Sequence, residues 1–551
     1  MRYLFLTILV LISSYAIGQQ VDTTQTSGEI ISGKVVIEKD KKIRLPKGDK
    51  IFLRGELKSL ENQSIRVSFQ AQEPTFEWPD YKSDVPFKST ETSYPLEQVQ
   101  NFVKLGYGNY NSPLFKAGLY QSFGELETRA RLGYESFASG PIGEENSGNV
   151  NAGFGFSASY NSNNLTIRPS FSYDNFKYHF YGNNNRVNTG FNPENAEEVS
   201  WRDWQFSIDL SGGQEGVSYK IRPFYNSTSQ ILVDAADLNN ESIGGVSGSL
   251  KVKIDDSFSA ELGIDGKSGS YDGGITYDRN LLNVNPSITY QSEELSLSAG
   301  LVISSGETNE ATETSLYPDI NLTYELSDRW SVYGLVSGGM EWNGLSTLLN
   351  QNEFLDDSLA ISFTENTIKL GGGLKGAILE NMLLETSVIH RSTNGLPFFV
   401  SSTDSSRFIL TYDAKKVSVL TFASKLSYMP TNNSSYGLNL ELNGYSLESL
   451  DRPWHMPAYE IEAFTSHNIN EKLILSAFLN TKGGIRGPAN VDFGYVSLPA
   501  FIDVGLGMKY LITPQASAFI DVNNLLNNEY ERYLGYPTRG LAFKIGGQYR
   551  F

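Results

Sequence analysis

From about Phe102 to Phe551 the sequence alternates apolar and polar residues in one strand-length segment after another. Beyond the N-terminus it never offers the ~20 consecutive apolar residues that a membrane-spanning helix needs. In SFSAELGID, Phe258, Ala260, Leu262 and Ile264 share one face, and Ser259, Glu261, Gly263 and Asp265 the other. VSGSLKVKI sets Val246, Leu250, Val252 and Ile254 against Ser247, Lys251 and Lys253. PDINLTYEL, YGLNLELN, AYEIEAF and FIDVGLGMKY repeat the pattern, with Asp319, Asn321, Glu325, Asn439, Glu441, Glu460, Glu462, Asp503 and Lys509 on the polar face. A period of 2 requires strands with two unlike faces, so the chain is all-β, either a closed barrel in a membrane or a large soluble β protein.

The connections decide between these two. Short turns are expected near Gly124-Glu125, 162–164, 214–216, Asp255-Asp256, 292–294, Ser327-Asp328, Glu380-Asn381, 431–434, Asn470-Glu471 and 513–515. One long polar loop falls between each neighbouring pair: 138–149, 182–202, 229–243, 269–281, 306–315, 343–366, 393–406, 447–457, 484–499 and 526–539. Short turns on the periplasmic side and long loops outside are the signature of an outer-membrane barrel. With one further hairpin at Tyr110–Pro113, the count predicts a transmembrane antiparallel β-barrel of about 22 strands over 102–551. Tyr290, Tyr324, Trp330, Trp342, Tyr428, Tyr459 and Tyr510 lie near strand ends, as an interfacial girdle requires.

The last strand, GLAFKIGGQYRF, is the pattern in miniature. Leu541, Phe543, Ile545, Tyr549 and Phe551 are expected to face lipid, and Lys544, Gln548 and Arg550 the lumen. The 31 Tyr, 31 Phe and 51 Gly suit strands and tight turns. A formal charge of -18 repels phosphate and argues against a nucleic-acid partner. There is no cysteine, hence no disulfide, thiolate nucleophile or lipid-anchored cysteine, as suits an exported protein.

The N-terminus differs. Residues 1–18 combine Arg2, an apolar stretch from Leu4 to Ile12 and the small residues Ala16 and Gly18, which predicts a signal peptide cleaved before Gln19. Residues 19–101 hold charged, proline-bearing segments with prolines at 74, 79, 86 and 95, which exclude a central strand. They read as an extended periplasmic or lumenal segment. Their apolar runs Ile30–Ile37 and Ile65–Phe69 and the aromatics Phe76, Trp78, Tyr81 and Phe87 favour docking on a periplasmic or surface protein partner over filling the lumen.

From Pro457 to Phe551 the chain resembles the end of the TonB-dependent receptor barrel family. The matching words are PAYEIEAFTSHNINEKLILSAFLN, LPAFIDVGLGMKY and FIDVNNLLNNEYERYLGYPTRGLAFKIGGQYRF. Within them stand Asn524, Leu525, Asn527, Tyr530, Gly535, Tyr536, Pro537, Tyr549 and Phe551. The resemblance implies a 22-stranded barrel in the cell outer membrane, in contact with lipid, whose terminal residues Tyr549 and Phe551 act as a barrel-assembly signal. The segment before the first strand is too short for the family's plug domain and lacks its glycine and arginine pattern, so the chain resembles a plugless relative of the Bacteroidota type.

No catalytic, cofactor or metal site is expected. The four histidines, His179, His390, His455 and His467, stand apart in sequence, which leaves neither a three-ligand zinc site nor more than one candidate for a triad. The acidic loops at 143–145, 193–198 and 306–310 lack the spacing of a calcium loop. Gly371-Gly372-Gly373 reads as a bend in a strand. The leading function is binding or passage of a small solute, with substrate unknown. The alternative is a structural or assembly scaffold that docks envelope proteins. A barrel this wide without a plug would leak, so something is expected to fill it.

Overall fold

The computed structural model describes residues 101–551 apart from 143, 183–195, 234–236, 309–310, 403–405, 471 and 489–493. The signal peptide expected over 1–18 and the segment 19–100 lie outside the described residues.

Twenty-two antiparallel strands form one sheet. Each pairs with the next, and the last, Ala542–Arg550, pairs back onto the first, Phe102–Gly108, in a register that sets Phe102 opposite Arg550 and Gly108 opposite Lys544. The sheet is therefore a closed barrel and has no free edge. The described residues contain no helix long and apolar enough to cross a membrane.

The alternation read from the sequence becomes the two faces of this wall. Leu250, Leu262 and Ile264 are between 41% and 45% exposed although each sits in mid-strand. Phe543, Ile545 and Tyr549 are likewise exposed on the closing strand. A water-soluble protein would bury such side chains; a barrel turns them toward hydrocarbon. The exposed apolar belt makes this a membrane barrel.

Every expected short turn whose residues are all described is present. At one of them Glu215 and Gly216 both take positive φ, 39° and 86°, the conformation that matches a two-residue hairpin to the strand twist. Three expected long loops are much shorter than the sequence suggested. The strands Val217–Leu232 and Asp237–Lys253 run through most of 229–243, Phe258–Asp272 and Tyr277–Gln291 through most of 269–281, and Leu295–Thr308 and Thr312–Ser327 through most of 306–315. Polar composition was misleading there. Gln230, Asn239 and Glu241 are buried, at 0–2% exposure, on the inner face where they find hydrogen-bond partners.

The glycine triplet lies inside a strand, and the pairing of Thr364–Leu379 with Met382–Asn394 runs past it without a break from Ile368 to Ala377. A Cβ at Gly373 would stand 2.5 Å from the Tyr333 ring, so this glycine leaves room for an aromatic neighbour.

Candidate functional site

The apolar core of the molecule lies across its long-loop end. Leu345, Leu348 and Leu349 belong to a short helix, Leu345–Gln351, inside the loop 342–363, and all three have 0% exposure. Phe354, Leu355, Leu359 and Ile361 follow in the same loop and join them. Phe399 and Phe408 come from the connection 395–416, Tyr533 and Tyr536 from 524–541, and Tyr178, Trp201, Leu238 and Tyr271 from strand ends on the far side of the ring. Phe354 stacks on Tyr536 with ring centroids 3.5 Å apart. Because elements from well-separated parts of the wall meet in one cluster, the loops form a cap over that mouth.

Polar side chains tether the cap to the rim. Glu241 accepts from Arg279 Nη2 at 2.5 Å and from the backbone N–H of Leu345 at the start of the helix. Both members of the ion pair have side chains 1% exposed, and the Arg279 guanidinium lies 4.2 Å from the Trp342 ring centroid. Removing one partner of such a pair would leave a buried charge uncompensated. Gln230 donates to the carbonyl of Leu355, Asn239 to that of Asp356 at 2.9 Å, and Tyr277 to that of Leu359 at 3.2 Å. From the other side Tyr536 donates to the carbonyl of Ser406 at 2.7 Å. Arg407 pairs with Glu197 at 2.6 Å and Asp356 at 3.3 Å.

Two loop side chains join connections that are remote in sequence. Asp413 accepts backbone N–H bonds from Glu448, Ser449 and Leu450. Partial burial works to raise its pKa, but these amides, the Ser449 hydroxyl and the Lys415 amide together hold the carboxyl well below the usual range. His455 donates Nδ1–H to the carbonyl of Phe399 at 2.7 Å and accepts from the backbone N–H of Leu534 at 3.4 Å. Its ring packs on Phe408 and Tyr533. Burial lowers its pKa to about 4, against a smaller opposing effect of the Phe399 carbonyl.

Beneath the cap lies a cavity of about 2030 Å³. The polar side chains Ser346, Thr347 and Gln351 of the helix line its top, so the helix is apolar toward the cap and polar toward the lumen. Arg129, Arg131, Lys220 and Arg222 line one part of the wall, Lys369 and Arg391 another. Lys267 and three acids, Asp265, Glu341 and Glu441, complete the charged lining. Phe102, Tyr120 and Arg129 are near the short-turn end, so the cavity extends from the cap toward the opposite mouth.

The closing strand places the residues singled out in the sequence as follows. Lys544 is 2% exposed, ion-paired with Glu135, and lies 4.1 Å from the Phe137 ring centroid. Gln548 and Arg550 are half-buried and alternate with the exposed Tyr549 and Phe551. The Phe551 amide donates to the Asn101 carbonyl at 3.0 Å, which fastens the terminus to the start of the first strand. The four histidines are not brought together: His179 bonds the Gly148 carbonyl, His390 the Ser418 hydroxyl, and His467 the Ser434 and Thr465 hydroxyls. Among the described residues no three His, Cys, Asp or Glu side chains are grouped to hold a metal ion.

Trp342, expected in the girdle, instead lines the cavity and packs on Arg279 and Phe363. Sequence reasoning also missed the cap, because it took 343–366, 393–406 and 526–539 for polar loops. Leu345, Leu348 and Leu349 carry the i, i+3, i+4 spacing of a helix face, a signal that was present.

No family model and no curated protein matches the sequence. Solved structures do match the fold. The FrpB iron transporter from Neisseria meningitidis (F3-3 variant) superimposes with a TM-score of 0.66 at 9% identity, over 83% of this chain and 82% of that one. The ferric-catecholate import receptor Fiu from E. coli K12 gives 0.63 at 9% identity, over 82% of each chain. The ferripyoverdine receptor of the outer membrane of Pseudomonas aeruginosa gives 0.59 at 12% identity, over 82% of this chain and 72% of that one. With its closed ring of 22 strands and its exposed apolar belt, the chain has the fold of an outer-membrane barrel of the TonB-dependent receptor type.

Proposed function

We propose that the protein binds or passes a small solute at the outer membrane, through a lumen gated at its outer mouth by the loop cap and without a receptor-type plug. The observation that carries this reading is the cavity of about 2030 Å³, lined by charged and polar as well as apolar side chains, beneath a cap whose apolar core joins loop residues to strand ends across the mouth. The similar proteins are named as an iron transporter and as receptors, which supports a solute-handling role. In this reading Lys544, Gln548 and Arg550 belong to the lumenal face, and the short-turn mouth opens to the periplasm.

Conductance in planar bilayers tests the proposal. The intact chain should pass little current, because the cap closes one end. Replacing Leu348 and Leu349 together by Asp puts two charges into fully buried positions and should release the cap, giving large, stable openings. Openings no larger than those of the intact chain, from a variant still inserted as a barrel, would overturn the reading. They would instead favour a scaffold that docks envelope proteins.

A further inference from the structure

We infer that the outside of the wall seats an anionic lipid of the outer leaflet, with its phosphate head group on Arg202 and its acyl chains on the aromatic surface below. This concerns the lipid face of the barrel and is independent of what the lumen carries. Arg202 belongs to the sixth strand, Glu198–Gln214, which enters the wall from the long-loop side and ends at the short turn Glu215-Gly216. It therefore stands near the outer end of that strand. Alternation fixes which way it points. Trp201 and Asp203 are buried, at 6% and 5% exposure, whereas Trp204 and Phe206 are each 45% exposed, so Arg202 shares the lipid-facing side with those two rings.

The surface beneath Arg202 is aromatic. On the fifth strand, Leu165–His179, the register partners of Arg202, Trp204 and Phe206 are Asn175, Tyr173 and Phe171. Tyr173 lies against Trp204 with ring centroids 4.1 Å apart, and Phe171 meets Trp204 at 5.8 Å and Phe154 at 6.2 Å. These rings continue the exposed apolar belt, and a Trp with a Tyr at its upper margin marks the level of the head groups. Arg202 is the next outward-facing position, about 7 Å further along the strand.

Its charge is not matched within the wall. Arg202 is exposed, donates from Nε to Ser200 Oγ at 3.3 Å, and makes no ion pair among the described residues. Its cationic neighbour on the same face, Lys177, is held by Glu198 at 3.1 Å. Asp203, next in sequence, points to the other side, where Gln205 and Thr228 each donate to it at 2.6 Å. A guanidinium offers a planar fork to two phosphate oxygens. Asn175 accepts from the Ser200 hydroxyl at 2.7 Å through Oδ1, which leaves its amide nitrogen as a further donor beside the fork, and Ser229 is the register partner of Arg202 on the other flank. A free phosphate would meet one exposed cation in water, whereas a lipid adds the apolar area of its chains on the rings below.

The test uses the full chain in a nonionic detergent, with monophosphoryl lipid A as the probe and native mass spectrometry to count the lipid retained. The original chain should retain at least one molecule, and Arg202→Gln should hold it at least about fivefold more weakly. Lys177→Gln should lose less, because Glu198 already engages that ammonium. The dephosphorylated lipid, with the same chains, should bind the original chain about as weakly as monophosphoryl lipid A binds Arg202→Gln. Equal retention by the original chain and Arg202→Gln, or equal retention of the two lipids, overturns the inference. Trp204→Ala removes the ring beneath the head group and should weaken both lipids; unchanged retention would overturn the seat of the chains. Inorganic phosphate titrated alone should not bind measurably at millimolar concentration, and saturable binding that Arg202→Gln abolishes would assign the site to a free anion and overturn the lipid. The heat-resistant compact form on cold electrophoresis shows that each variant is still a folded barrel.

Discussion

Burial at single positions divides the closing strand into two environments that cost very different amounts to exchange. Lys544 is enclosed with Glu135, while its neighbour Ile545 is 55% exposed on the belt. Ile545→Arg should therefore cost roughly 2–4 kcal/mol if the residue sits at the bilayer midplane, a loss measurable by reversible denaturant unfolding in lipid vesicles. A cost near zero would place Ile545 outside the hydrocarbon.

His455 presents a different single-residue case, because its proton is excluded by packing. An unfolded histidine takes up its proton near pH 6.5, whereas the packed ring resists until about 4. Between these values the unpacked cap binds the extra proton, so cap stability is complete above about 6.5 and declines as pH falls toward about 4, by about 3 kcal/mol in total. The expected result is conductance that rises on acidification through this window, and less steeply in His455→Gln, which keeps a donor for the Phe399 carbonyl but does not titrate. Identical pH profiles for the two chains would assign the effect to another group.

Individual elements owe their geometry to what lies beside them. At the seam, Gly106 and Gly546 are register partners, and the Phe519 ring lies against both. A Cβ on Gly546 would come within 2.0 Å of the Leu105 carbonyl oxygen and 2.6 Å of Phe519 Cζ. One contact is with backbone, so no rotamer change can relieve it. Gly546→Val should strain the pairing that closes the ring, and the variant should lose the heat-resistant compact form of the barrel on cold electrophoresis at a lower temperature than the original. An unchanged transition temperature would mean the seam can shift to admit a side chain. The helix Leu345–Gln351 shows the same dependence on context. It has no side-chain N-cap hydrogen bond and is only seven residues long, too short to be stable alone. The buried Glu241 carboxylate at its first N–H and the leucines in the cap hold it in place.

At the scale of the whole molecule, closure of the ring and closure of the mouth are separate achievements. The ring closes through backbone hydrogen bonds between the first and last strands, fastened by the Phe551 amide on the Asn101 carbonyl. Deleting Phe551 removes that bond together with the terminal aromatic, and should lower the amount of protein recovered in the outer membrane, read by fractionation and immunoblotting. Normal levels would remove Phe551 from the assembly signal. The mouth closes through loop side chains, so the deletion should leave the low conductance of whatever barrel does insert unchanged.

The fold was legible in the sequence because a barrel wall is specified by local rules. Leu262 points outward and Glu261 does not because successive side chains of a strand take opposite faces, and a turn such as Glu215-Gly216 needs only its own residues. Repeated along the chain, those rules determined the strand count, the antiparallel order and the membrane-facing belt. The cap and the cavity were not legible, since each is made by residues distant in sequence. Nothing in the sequence around Phe354 names Tyr536 as its stacking partner, and Arg202 and Asn175 become neighbours only when register is fixed. Loop composition misled for the same reason. Gln230 and Asn239 look solvent-bound until the wall rises around them, and Leu345, Leu348 and Leu349 look like a short apolar stretch until other loops cover them. Local periodicity fixed the strands, because each strand's two environments follow from its own alternation; which loops meet over the mouth, and which charges face each other below it, was decided by closure of the ring, which alone sets the distances between them.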